Sequence, residues 1–373
     1  MDTQGNHSCH LQMQYQCPQL PPRLMVFFLL WDILIFVAIL LGNTMVIASV
    51  ARYSNMRSPT NILLASLATG DLFVAFVCLP VDVALGLGAI PWVNPWHCLG
   101  GALSILSVSA VSTWHMTAVT FERYLAITKP YKHQTLMSHK KVSTMIACVW
   151  VSAVLFSALG LADFGNDLPC LQEGCCDLLL AISPTLRIMS IVIGSLLPCM
   201  VMTVLYTKII RCAQLQLKRI NASEVQSNHR HNRVTGAFLK QLTHKFQRRD
   251  LKAAKTVALI LGAFLLAWSP ASLIAVSDIV FPSFIHSHYS VFYGLQLGLF
   301  HIAFSNSFVN PVIYCHRNRD FRLSFLKLLH WILPGKLKRQ ERMLENQGVI
   351  TINCVANTKV ENDVLGLYLS PPQ

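Results

Sequence analysis

LMVFFLLWDILIFVAILLGNTMVIASVA, residues 24–51, is an apolar run interrupted by a single charge, Asp32. About 20 mostly apolar residues in an α-helix cross the roughly 30 Å hydrocarbon core of a bilayer. The run exceeds that length, so it reads as a membrane-spanning helix. Six more stretches qualify: Asn61–Gly86, Leu99–Ile127, Val142–Leu161, Leu186–Ile210, Ala253–Ser277 and Tyr289–Cys315. The expected fold is an all-α membrane protein, a seven-transmembrane helix bundle over 24–315.

Composition agrees. The 373 residues are 53% apolar and 13% charged, where a soluble domain carries about 25% charged. The net charge of +13 raises the question of nucleic acid. A nucleic-acid binder gathers its cations on one folded surface, often with aromatic residues between them. Here seven apolar runs separate them, so no nucleic-acid partner is expected.

The placement of the cations sets orientation instead. Arg23 lies before the first run and Arg187 opens the fifth, while the other 28 of the 30 lysines and arginines fall in or beside the odd-numbered loops and the tail. Cytoplasmic segments carry such an excess. The amino terminus, 1–23, is therefore expected outside the cell and the tail inside. The first 23 residues are polar and show no cleavable signal, so insertion relies on the first helix.

Two features fit this orientation. Asn6-His7-Ser8 is an N-glycosylation acceptor on the outer side, whereas the similar Asn221-Ala222-Ser223 falls in an inner loop. Cys98 begins the third run outside, and the outer loop after the fourth run holds Cys170, Cys175 and Cys176. An oxidising exterior favours a bridge from Cys98 to that loop, at Cys175 or Cys176. Residues 214–247 are polar and read as a flexible third intracellular loop. Residues 316–335 contain DFRLSFLKLLHWIL, which predicts a short amphipathic eighth helix on inner-leaflet lipid; 336–373 reads as a disordered tail.

Polar groups inside the spans carry the functional signal, because they are costly in lipid. Asp71 lies mid-span, with Asn43, Asn306 and Asn310 at similar depth. A carboxylate among neutral oxygens suits a hard cation, and equally makes an interhelical hydrogen-bond cluster. Trp268-Ser269-Pro270 puts a bulky ring at a proline kink. Glu122-Arg123 ends the third span at its inner face, where an acid–base pair often serves as an anchor.

Together these pieces resemble the rhodopsin-like (class A) G-protein-coupled receptor family, from about Leu24 to Leu333. The resemblance rests on Gly42-Asn43, Leu67-Ala68 through Asp71, Cys98, Glu122-Arg123-Tyr124, Trp150, Pro198, Tyr206, Phe264 with Trp268 and Pro270, and Asn310-Pro311 with Tyr314, in that order. It implies that Asp71, Ser112, Trp268, Asn306 and Asn310 form a sodium pocket, with sodium as an allosteric ion and no other cofactor. It also implies that Arg123 meets a heterotrimeric G protein when the sixth helix swings outward. Asp250 is then its resting partner beside Glu122, and Tyr206 and Tyr314 support the active form. Arrestin and a receptor kinase are further partners it implies, the location is the plasma membrane, and no enzymatic activity follows. Two departures are visible: Glu122 stands where an aspartate is commoner, and Thr113 where an aliphatic residue is usual.

The inner half is similar to adenosine and aminergic receptors, as in Ala253–Ala258 and Tyr314–Arg322. The ligand end departs from each subfamily. Ile105 replaces the aspartate of amine receptors, Phe304 the retinal lysine of opsins, and Ala275, Ser272 and Ala303-Phe304 the purine-holding residues. The expected pocket is Ile105, Ser109, Ser190, Gly194, Ala271, Ser272, Phe300 and Phe304, with charge from Asp82 and His301 and with Asp32 near His301. That lining predicts a small extracellular ligand, uncharged or weakly basic: purine-like, amine-like or lipid-like. A receptor of the same fold that signals without ligand is the alternative. A transporter would show inverted repeats and broken helices, and neither is visible.

Overall fold

The computed structural model describes residues 20–86, 95–164, 182–227, 256, 258–277 and 279–332. Pro22 lacks a backbone donor and so suits a first helical turn; α1 runs from it to Arg52. Ser58 caps the second helix by accepting from Asn61 N at 3.3 Å, and α2 spans Pro59–Ala84. Two five-residue π segments, Val74–Cys78 and Asp82–Gly86, flank Pro80 in α2. Each wide turn holds an extra residue, rotating later side chains by roughly 100°.

Helix α3 is Pro95–Thr128 and α4 is His139–Phe164. Ser183 caps α5, which begins at Pro184, widens over Val192–Leu196 just before Pro198, and continues to Ser227. Helix α6 is Ala258–Ser277 and α7 is Tyr289–Arg317. Among the described residues, α1–α6 are long and apolar enough to cross a membrane. Helix α7 has the length, but buries His301, Asn306, Ser307 and Asn310 among its core residues. The seven-helix expectation is met, and the chain is a multi-pass membrane protein. Its outward faces agree: Leu266 and Leu273 on α6 are 77% and 74% exposed, as lipid-facing residues are.

Helix α3 sits against α2, α4 and α5, while α1 packs on α2 and α7. Two glycines permit close approach. A Cβ on Gly42 of α1 would lie 2.9 Å from Cβ and Cγ of Pro311 on α7, and one on Gly70 would lie 2.9 Å from Val111 Cγ1. A polar chain links α2, α3 and α4. Trp150 Nε1 donates to Ser66 Oγ at 3.1 Å, and Ser66 lies 2.8 Å from His115 Nε2. His115 Nδ1 donates to the Val111 carbonyl at 2.8 Å, so Nε2 accepts from Ser66 and the chain closes. Buried His115 thereby has a structural role that its isolated appearance in the third run did not reveal.

Some expected boundaries shift. The segment 214–227, predicted as part of a flexible loop, is helical, because its leucines, glutamines, lysine, arginine and glutamate are good helix formers with no Gly or Pro among them. The rest of that loop, the tail from 336, and Asn6, Cys175, Cys176 and Asp250 lie outside the described residues. Cys98, 1% exposed on α3, is disulfide-bonded. Residues from Asn318 form a separate unit. Its helix α8, Arg319–Ile332, begins after the predicted start at 316 because His316 and Arg317 complete α7 and Asn318 Oδ1 accepts from Asp320 N at 3.0 Å; residues 333–335 lie outside the described residues.

Candidate functional site

At the Arg123 end of the bundle, Glu122 is fully buried and its carboxylate gathers three elements. Arg123 donates to it from Nε at 2.6 Å and Nη2 at 2.9 Å. Thr60 Oγ1 on α2 donates at 2.8 Å, and His133 Nε2, on the short helix Pro130–Leu136, lies 2.8 Å away. Arg123 Nη2 also contacts Thr60 Oγ1. A buried carboxylate is tolerable only when paired and hydrogen-bonded in this way. The arginine is thus folded back on its own helix and remains 21% exposed. Thr60 and His133 were not identified from sequence; their spacing from Glu122 follows no local pattern. Below this lock Tyr124 and Tyr206 pack around Ile127 and Ile209, with Lys208 Nζ 6.0 Å from the Tyr124 ring.

Midway along the bundle, Asn310 donates to Asp71 Oδ2 at 3.1 Å. Asp71 Oδ1 and Asn306 Oδ1 are buried and accept no hydrogen bond among the described residues. Ser112 on α3 is 6% exposed. Asn43 donates to the carbonyls of Ile39 and Ser307, both at 3.1 Å, tying α1 to α7. A carboxylate and amide oxygens with spare lone pairs are the donor set a hard monovalent cation takes, so these residues fit sodium. Trp268 stacks on Phe264 at 6.1 Å, two residues before Pro270, and Tyr314 is 2% exposed. Thr113 spends its hydroxyl on the Ser109 carbonyl at 2.8 Å, within its own helix.

Toward the Cys98 end lies a cavity with about 80 Å³ of space, room for a few waters. Ile105 and Ser109 of α3, Ser190 and Gly194 of α5, Trp268, Ala271 and Ser272 of α6 and Phe300 of α7 line it. Three expected pocket residues do not. Phe304, 1% exposed, belongs to the core beneath, stacked with Phe300 at 6.2 Å. Asp82 and His301 lie together with Asp32, between α1, α2 and α7. Pro80 and the π segment Val74–Cys78 of α2 alter the register on which a straight helix would present Asp82.

The charge on the cavity wall is a different one. Arg187 lines it, is 5% exposed, and is the charged side chain among the described lining residues. The sequence places Arg187 only at the opening of the fifth run, where it bears on topology and not on the pocket; three residues before Ser190, it shares that residue's helical face. The prediction that nearby charge is confined to Asp32, Asp82 and His301 is corrected accordingly.

Comparison with known proteins gives a consistent assignment. Residues 42–314 match the 7 transmembrane receptor (rhodopsin family) model. The chain is 30% identical to the mouse adenosine receptor A2b over 308 residues, covering 77% of this chain and 85% of that one. It is 30% identical to the octopamine receptor beta-2R of Chilo suppressalis over 331 residues, 84% and 82% of the two chains. It is 28% identical to a D(1)-like dopamine receptor of Takifugu rubripes over 350 residues, 85% and 73%. With the bundle, the carboxylate-held arginine and the cavity on one scaffold, the chain belongs to the rhodopsin family of seven-transmembrane receptors and is a G-protein-coupled receptor.

Proposed function

We propose that this receptor sits in the plasma membrane with its Cys98 end outside, takes a small, mostly apolar ligand that presents an anionic or hydrogen-bond-accepting group to Arg187, and opens its Arg123 end to a heterotrimeric G protein. The observation that carries this reading is that α3 joins the two ends. Ser109 lines the cavity and Arg123 lies fourteen residues further along the same helix, about 21 Å away. A ligand that shifts α3 or α6 at one end thereby biases the carboxylate lock at the other. By linkage, the bound G protein raises agonist affinity by the same factor.

The relatives named for octopamine and dopamine respond to amines, but no carboxylate appears among the described residues lining this cavity. A guanidinium there repels an ammonium and favours a carboxylate or carbonyl. The test is a panel of amines, purines, lipid acids and small carboxylates, applied to cells expressing the chain, with cyclic-nucleotide and calcium readouts. Arg187→Gln is expected to weaken the active compound by roughly 10- to 100-fold, the worth of a charge-assisted hydrogen bond. An amine whose potency is unchanged by Arg187→Gln would count against the ligand class.

The Asp71 cluster is proposed to hold sodium and favour the inactive form. Sodium is then expected to lower agonist affinity in the parent and to lose that effect in Asp71→Asn. Equal sodium sensitivity in both, measured by radioligand competition, would remove the ion from the mechanism.

A further inference from the structure

His301 on α7 faces two carboxylates at once. Its Nε2 lies 3.2 Å from Asp32 Oδ2 on α1 and 3.3 Å from Asp82 Oδ2 on α2. The three side chains are between 1% and 3% exposed. His301 Nδ1 lies 2.8 Å from the Leu297 carbonyl oxygen. A carbonyl only accepts, so Nδ1 carries the hydrogen, and in the neutral ring Nε2 presents a bare lone pair. Three lone-pair atoms then converge, all within 4.8 Å of one another. Something positive has to sit among them.

A proton on Nε2 is one answer, but with both carboxylates ionised it leaves the cluster with one uncompensated negative charge. Buried unbalanced charge is costly. Asp32 Oδ1 and Asp82 Oδ2 accept no hydrogen bond among the described residues, so neither carboxylate is satisfied by neutral donors at those atoms.

We propose that Asp32, Asp82 and His301 bind one divalent transition-metal ion of the zinc type, clamping α1, α2 and α7 together. Zinc bonds of 2.0–2.2 Å in a tetrahedron place neighbouring ligand atoms about 3.3 Å apart. The two distances from Nε2 have that length. Two carboxylates and a neutral imidazole also balance a divalent charge, and three protein ligands leave a fourth position for water. The hydrogen bond from Nδ1 to a carbonyl is the support that orients a metal-binding histidine. The Phe28 ring, 4.3 Å from the imidazole, covers the cluster with an apolar wall. The mixed nitrogen and oxygen set suits zinc, whereas the all-oxygen set at Asp71 suits sodium. None of the three residues lines the ligand cavity, so this inference stands apart from the proposed ligand class.

The experiment uses the full chain purified in detergent and stripped with a chelator. Adding zinc at about a hundredfold excess over Kd is expected to raise the unfolding midpoint by several degrees. Cobalt in its place is expected to show the visible absorption of a tetrahedral N/O site at about one equivalent. Asp82→Asn and His301→Gln should lose both signals, while Asp71→Asn keeps them. Asp82→Asn removes a buried negative charge at constant volume, so its metal-free form should unfold at or above the metal-free parent's midpoint. It therefore decides the matter even where His301→Gln does not fold. Absence of both metal signals in the folded parent overturns the proposal. So does a zinc shift that survives Asp82→Asn, which places the ion elsewhere. A midpoint that rises on acidification but ignores zinc also overturns it, because the imidazolium alone then satisfies the cluster.

Discussion

Arg123→Ala is expected to abolish ligand-stimulated nucleotide exchange on the G protein while leaving antagonist affinity within a few-fold of the parent. The side chain sits about 21 Å along α3 from the cavity, too far to touch a ligand there. It is held in place by contacts of 2.6 and 2.9 Å to Glu122 and is 21% exposed, at the end of the bundle proposed to meet the G protein. On the proposed mechanism, removing it deletes a contact that the receptor makes to the G protein only in the coupled state. Glu122→Gln should act in the opposite sense. It keeps the volume but weakens the charge-assisted bonds to Arg123 and His133, each worth about 1.5–3 kcal/mol when made to an ion. With Arg123 partly in solvent and the losses shared by both states, a rise in ligand-free signalling of roughly tenfold is expected. Exchange assays on membranes from matched expression levels read both outcomes. Full coupling by Arg123→Ala would show that the arginine is only an anchor.

Gly42→Val should damage the bundle severely. An added Cβ at Gly42 would lie 2.9 Å from two atoms of the Pro311 ring, and valine adds two methyl groups beyond it. The pyrrolidine ring is fused to the α7 backbone, so it cannot rotate away as a flexible side chain does. The helices must separate instead, pulling on Asn43, which donates to the Ser307 carbonyl of α7 at 3.1 Å. Overpacking of this kind costs about 1–3 kcal/mol or more, a large share of a marginal total stability. Surface expression and the detergent-solubilised unfolding midpoint should both fall sharply, with Gly42→Ala intermediate. Gly70→Ala should be milder, since its neighbour at 2.9 Å is the methyl end of Val111. A Gly42→Val protein with unchanged midpoint would mean that α1 and α7 separate freely.

The inner half is largely legible in the amino-acid sequence. Asp71, Glu122-Arg123, Trp268, Pro270 and Asn310-Pro311 were placed by motif order, and Asp71 and Asn310 meet at 3.1 Å. What escaped was the set of partners. Thr60 and His133 complete the Glu122 cluster from 62 and 11 residues away. Ser66 joins Trp150 to His115 across 84 and 49 residues. No spacing rule connects such positions, because each depends on which helix faces lie opposite one another.

The amino-acid sequence by itself determined that this chain crosses a membrane in seven helices, since burial of apolar length in lipid is a local property summed over about 20 residues. The tertiary structure alone decided several of the partners that the polar residues within those helices take, although Asp32 beside His301 is already expected from sequence. It turned Asp82 and His301 away from the cavity to meet Asp32, and set Arg187 on the cavity wall. A helix's hydropathy fixes that it spans, whereas the rotation of each face depends on proline, π turns and the neighbours packed against it.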